Sequence, residues 1–143
     1  GEKTMADYIA ALPMSLFFLD FDHNSPNAEH LKAHHESFFL NIREKNPDLP
    51  VIMATKTDIP RSPAAEKSNA AHRAVVYETY ENAVKRGDRN VIFIDGATVF
   101  SKALTLSAPA DSCTVDGCHP NDLGMYFMAE RIGGVLANII KRK

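Results

Sequence analysis

Asp116 stands three residues before His119 in the run Asp116-Gly117-Cys118-His119-Pro120-Asn121-Asp122, just ahead of an amphipathic stretch. An imidazole acts as a general base when an acceptor holds one ring nitrogen and the other points at a nucleophile's proton. An aspartate a short turn upstream can be that acceptor, so the pair forms half of a hydrolytic charge relay. The same spacing also arises by chance, with Asp116 capping a loop and His119 an ordinary surface residue. The missing half would be a Ser or Cys in a tight turn after a strand, among small neighbours. Ser25 and Ser62 adjoin prolines, Ser37 and Ser68 fall in helical patterns and Ser15 opens a strand, so none fits that turn. Asp20 and Asp22 stand at the end of one apolar run and Thr55 at the end of the next.

Other reactive side chains read as structural. His35 falls on the apolar face of its helix and is expected in the core, with His34 facing outward. His30 and His34 lie one turn apart, but neither Glu nor a third ligand follows at metal-binding spacing, so no metal site is assigned. His23, beside Asn24, is a candidate substrate contact. Tyr77 and Tyr80 are expected to pack, and Gly133-Gly134 to mark close approach of the last helix to a sheet. Cys113 and Cys118 are too few for a disulfide framework and lack the paired spacing of a zinc site; they either bridge locally or stay thiols.

These residues must be positioned by elements that alternate in type. A short helix over Lys3–Ala11 precedes Met14–Asp20, too continuously apolar for a half-exposed strand and therefore a buried parallel one. Ser25 and Pro26 form an N-cap and first-turn pair for a helix carrying Leu31, His35, Phe38, Phe39 and Ile42 and ending at Asn46-Pro47. Leu49–Thr55 is a second strand, Ala64–Arg86 a long helix capped by Gly87, and Asn90–Asp95 a third strand. Gly96–Pro120 shows only a weak helical patch over Thr98–Leu104, and a loop that long is usually functional or disordered. The last helix begins near Asn121 and presents Met125, Met128, Ile132, Val135, Leu136 and Ile139 on one face. Alternating strands and helices with right-handed crossovers give a three-layer α/β/α sandwich around a parallel sheet. Ligands in such sheets collect beyond the carboxyl ends of the strands, where Asp20-Phe21-Asp22-His23-Asn24, Thr55-Lys56-Thr57-Asp58, Asp95-Gly96 and the Asp116/His119 loop all fall.

The 143 residues suffice for one domain, residues 1–143, with 45% hydrophobic content that suits a globular core. A formal charge of −2 leaves no basic face for nucleic acid, and Lys141-Arg142-Lys143 suits the carboxyl end of a helix dipole. No apolar run is long enough to cross a bilayer, and no signal core follows the N-terminus; the compartment stays open.

The tail D-G-C-H-P-N-D-L-G, the strand end D-F-D-H-N-S-P and the phrase I-R-E-K-N-P-D-L-P-V-I-M together resemble the SGNH (GDSL-type) hydrolase family over nearly the whole chain. The resemblance implies a flavodoxin-like α/β/α sandwich and cofactor-independent, metal-free hydrolysis of small-molecule, carbohydrate or lipid esters. By position, His119 would be the general base, Asp116 its orienting acid and Asn24 an oxyanion-hole donor, although Asn24 sits in D-F-D-H-N where G-x-N-D is commoner. The family's serine lies in a G-D-S motif after the first strand, and a glycine donor follows the second. Neither is found here, which implies the C-terminal portion of such a hydrolase, lacking the nucleophile and inactive alone. Loss of the strand that pairs with Met14–Asp20 would leave an open apolar edge, so self-association is expected. Two alternatives remain: Asp20 and Asp22, with Thr55, resemble the haloacid-dehalogenase phosphatases, which implies a phosphorylated Asp20 and Mg²⁺ between carboxylates, though Asn24 stands where that family has Thr or Val and the acidic pair expected on the last strand is absent; and the chain could be a non-catalytic α/β fragment.

Overall fold

The computed structural model describes residues 2–57, 59, 62–100 and 110–141. They group into two compact units, Gly1–Thr55 with Lys67–Ile94, and Lys56–Glu66 with Asp95–Lys143. The first unit holds α1 (Lys3–Ala10), β1 (Phe17–Leu19), α2 (Ala28–Lys45), β2 (Val51–Ala54), most of α3 (Pro63–Lys85) and β3 (Val91–Ile94); the second ends in α4 (Asp122–Ile140).

The strands pair in parallel in the order β1-β2-β3, with Phe17 opposite Val51 and Val51 opposite Val91. This is the parallel α/β architecture that the alternating pattern predicts. The register puts Phe17, Leu19, Val51, Met53, Val91 and Phe93 on one face, where they pack with Ala6 and Ala10 of α1, Leu31, Phe38, Phe39 and Ile42 of α2, and Val75, Val76 and Ala83 of α3. The alternate residues Ile52, Ala54 and Ile94 lie on the other face and are buried as well. Strands buried on both faces read as unbroken apolar runs, which is how these appear in the sequence.

β1 is shorter than the Met14–Asp20 run. The Phe17 amide bonds the Pro50 carbonyl at 2.9 Å, and Pro50 has no amide with which to extend the ladder backwards. α2 starts at Ala28, and its N-cap is Asn27, whose Oδ1 accepts the His30 amide at 2.8 Å. Ser25 is instead held by the preceding 3-10 turn, its amide bonded to the Asp22 carbonyl at 3.1 Å, so the Ser25-Pro26 pair falls just outside the helix. Ser62 and Pro63 do form such a pair, Ser62 Oγ accepting the Ala65 amide at 3.1 Å at the start of α3. At the other end of α3 the Asp88 amide bonds Ala83 and the Gly87 amide bonds Val84, a Schellman closure with Gly87 at φ +88°. A side chain at Gly87 would strain the backbone by about 1–2 kcal/mol.

Arg43 ties the carboxyl end of α2 to the strand starts. Its Nε donates to Asp88 at 2.7 Å and its guanidinium to the Leu49 carbonyl at 2.6 Å, with both ion-pair side chains largely buried. Tyr77, Tyr80 and Phe93 pack as an aromatic cluster with centroids 5.1–5.9 Å apart.

In the second unit Phe127 and Ile139 supply the buried side of α4, Met128, Ile132, Val135 and Leu136 are half-buried, and Met125 is exposed rather than part of the apolar face. A Cβ at Gly133 or Gly134 would meet open space, so these glycines do not mark a close approach. Gly124 does: a Cβ there would collide with the Cys113 carbonyl oxygen. The helical patch over Thr98–Leu104 is represented by a 3-10 turn at Gly96–Thr98, and its part beyond Phe100 lies outside the described residues, as do Asp58, Arg142 and Lys143. No helix of the described residues is long and apolar enough to cross a membrane.

Candidate active site

The Asp116/His119 turn is built between the 3-10 turn Ala110–Cys113 and the first residue of α4. Thr114 and Pro120 meet in an antiparallel bridge, with the Val115 amide bonded to the His119 carbonyl at 2.9 Å. The reversal between them needs a left-handed residue, which Gly117 supplies at φ +84°. Its amide donates to the Thr114 hydroxyl at 3.0 Å. Asn121 locks the far side: its Oδ1 caps α4 through the Gly124 amide at 3.1 Å, and its Nδ2 donates to the Ser112 carbonyl at 2.7 Å.

On this frame the two oxygens of Asp116 divide their work. Oδ1 accepts the Cys118 and His119 amides at 2.9 and 2.8 Å, fixing the carboxylate to its own turn. Oδ2 faces His119 Nδ1 at 2.6 Å. The His119 amide, the His119 ring and the Cys118 amide hold the Asp116 carboxyl well below the ordinary carboxylate range. A carboxylate so fixed accepts only, so Nδ1 carries the proton and the Nε2 lone pair is left outward. Both side chains are accessible, His119 71% and Asp116 50% exposed, so an external group can reach Nε2. The arrangement can orient an imidazole, take a proton at Nε2 and stabilise the resulting imidazolium.

Asn24 and His23 belong to the first unit, in the 3-10 turn Asp22–Asn24 that follows β1, and both are exposed. The Asn24 amide bonds the Phe21 carbonyl at 3.1 Å. Asp22 is buried at 1% exposure. Desolvation and the Asp22 charge push Asp20 up to about 6, although its side chain keeps an exposed edge. A buried Asp22 is poorly placed for the open metal and phosphoryl site that the phosphatase alternative requires.

Thr114, Gly117 and Asn121 shape the turn; the sequence marks Asn121 as the start of the last helix but assigns no role to Thr114 or Gly117. A Thr three residues before Gly, and an Asn three before a helical Gly, are the signals that mark them. Of the remaining serines, Ser101 and Ser107 lie outside the described residues, and Ser112 contributes its carbonyl to Asn121. Cys113 and Cys118 are free thiols.

Among solved structures, the chain is similar to a protein from Bacteroides ovatus ATCC 8483 described as a GDSL-like lipase, at 26% identity and a TM-score of 0.82, covering 98% of this chain and 40% of that one. A salicylyl-acyltransferase from a tetracycline biosynthetic pathway, at 24% identity and a TM-score of 0.72 over 95% of this chain and 42% of that one, shares the fold. So does a peptidoglycan O-acetylesterase, at 11% identity and a TM-score of 0.65 over 99% of this chain and 42% of that one. The chain thus spans about two fifths of the length of these neighbours. No curated protein matches it. The model of the GDSL-like lipase/acylhydrolase family matches residues 2–137, and the chain belongs to that family.

Proposed function

We propose that this chain supplies the acid–base half of a serine ester hydrolase, with His119 as general base, Asp116 as its orienting carboxylate and Asn24 as an oxyanion donor. The observation that carries the reading is the 2.6 Å contact between His119 Nδ1 and a carboxylate pinned by two backbone amides, within a chain of this family. In the reaction, a serine hydroxyl attacks the ester carbonyl carbon while its proton passes to His119 Nε2. The tetrahedral oxyanion accepts hydrogen bonds from Asn24 Nδ2 and backbone amides, each such donor worth about 10²–10³ in rate. Collapse breaks the ester C–O bond, and the alcohol leaves with the proton from His119. Water, deprotonated by the same nitrogen, then releases the acid from the acyl-serine.

None of Ser15, Ser25, Ser37, Ser62 and Ser68 has the sequence setting of a nucleophile turn, so the reading assigns the attacking hydroxyl to sequence outside this chain. The substrate is an ester of a small molecule, sugar or lipid, with His23 at its edge. No cofactor or metal enters this chemistry.

Hydrolysis of p-nitrophenyl acetate tests both parts. This chain alone is expected to turn over no faster than its His119→Ala variant. In a protein that carries the chain together with a G-D-S segment, the same substitution should lower kcat by on the order of 10⁴ or more. Turnover there that survives His119→Ala sinks the reading. His119-dependent turnover by the chain alone, with one of its serines covalently labelled, would show that the nucleophile lies within it.

A further inference from the structure

We propose that His30 and His34 form a two-imidazole site for a borderline divalent transition metal, such as Ni²⁺, Cu²⁺ or Zn²⁺, on the first turns of α2. The inference is independent of the ester chemistry and rests on how the protein fixes the protons of these two rings.

His30 and His34 are one helical turn apart, and their rings stack with centroids 4.3 Å apart at an interplanar angle of 27°. His34 Nδ1 lies 2.7 Å from the His30 carbonyl oxygen. A carbonyl only accepts, so Nδ1 must carry the proton and Nε2 the lone pair. His30 Nδ1 lies 3.0 Å from Ser25 Oγ, and that hydroxyl gives its own proton to the Asn27 carbonyl at 3.2 Å. With that proton on the Asn27 carbonyl, the Ser25 oxygen accepts from His30, and the His30 proton is placed on Nδ1 in the proposed site. Both rings would then hold the tautomer that is the minor one for a free imidazole in water, each with its lone pair on Nε2.

This is the preparation that metal-binding histidines receive from their outer partners: the distal N–H is bonded to a carbonyl or hydroxyl, which fixes the ring and raises the basicity of the ligating nitrogen. Metal–imidazole bonds of about 2.0–2.1 Å place two ligating nitrogens roughly 3 Å apart, so metal binding requires the two rings to rotate out of their stack until both Nε2 lone pairs converge. Imidazole pairs favour Ni²⁺, Cu²⁺ and Zn²⁺ over hard cations. His34 also borders an open groove of about 490 Å³ between α1 and α2, with room for the waters that complete the coordination shell.

His72 is the nearby ring that does not join. Its Nδ1 faces the Ser68 carbonyl at 2.8 Å and its Nε2 the Ser25 carbonyl at 3.3 Å, so neither nitrogen is available to a metal. This limits the site to two protein ligands, and no group of three or more His, Cys, Asp and Glu suited to a metal occurs among the described residues.

The test uses the untagged chain with Ni²⁺ as probe. Before metal is added, long-range ¹H–¹⁵N spectra of the neutral imidazoles should show His30 and His34 protonated on Nδ1; protonation on Nε2 in either ring would overturn the proposal. Calorimetric titration should then find one tight equivalent of Ni²⁺, weakened at least about tenfold in both His30→Ala and His34→Ala, because the second ligand acts at high effective concentration. His72→Ala should bind as the wild type does. Weakening below tenfold in either of the first two variants, or a comparable loss in His72→Ala, would remove the two-imidazole assignment. Circular dichroism of each variant separates loss of the site from loss of the fold.

Discussion

Asp116 acts through the division of its two oxygens. The oxygen that accepts two backbone amides orients the side chain, and the one that faces His119 selects the tautomer. An Asp116→Asn variant keeps the first role, because an amide oxygen accepts the same two N–H groups. It loses the second, since the side-chain NH₂ then faces Nδ1 and can only donate. The imidazole is expected to move its proton to Nε2, where it can no longer serve as a base. Nitrogen-15 spectra of the neutral His119 ring check this in the chain alone, and in a protein that supplies the serine the activity should fall by about 10⁴. An unchanged Nδ1–H tautomer in Asp116→Asn would refute the orienting role. The pair itself was legible in the sequence because a three-residue spacing is local. Its frame was less so: Thr114 and Asn121 act through bonds to Gly117, Gly124 and Ser112, and their residue types are common in any turn.

Helices α2 and α3 are joined by a buried polar contact that links stability to pH. His35, 1% exposed, is hydrogen-bonded through Nδ1 to Thr79 Oγ1 at 2.9 Å, and the Thr79 hydroxyl lies 3.3 Å from the Val75 carbonyl. His35 Nε2 has no hydrogen-bond partner among the described residues, and Phe21 packs on the ring at 5.3 Å. Burial pushes the imidazole down from 6.5 to about 4, against a smaller opposing pull from the Glu36 charge. The unfolded chain therefore binds this proton more readily than the folded one. The stabilisation is fully present above pH 6.5 and is lost as pH falls towards 4, by on the order of 3 kcal/mol. Asp20 works in the opposite sense: its carboxyl is raised to about 6, so the folded state gains relative to the unfolded one as pH falls through that value. Chemical denaturation across pH 4–6.5 is expected to show the wild type losing stability relative to His35→Gln as pH falls; a difference between the two that stays constant with pH would show that His35 is not responsible. The sequence placed His35 in the core because it shares a period with Leu31, Phe38, Phe39 and Ile42. It could not show Thr79, 44 residues away on another helix, as the partner. Element boundaries blurred where side chains competed for one role, as Ser25 and Asn27 did at the start of α2.

At the scale of the whole molecule, the sheet order β1-β2-β3 makes β1 an edge, and its outer side carries no strand among the described residues. An edge strand offers unpaired amides and carbonyls as a template for another chain. Phe17 and Phe18 are only half-buried there. In the second unit α4 leaves Met125, Tyr126 and Ile140 more than half exposed, at 55%, 57% and 71%. The open edge leads to the expectation that the chain self-associates or takes a strand from another segment at β1. Sedimentation at micromolar concentration should show assembly that grows with concentration. Leu16→Lys, which sets a charge next to the edge without entering the ladder, should shift it towards monomer while leaving the circular dichroism unchanged. A folded monomer across that range, with Phe17–Leu19 amides that exchange freely with solvent, would refute the expectation and show that the edge is protected by its short length alone.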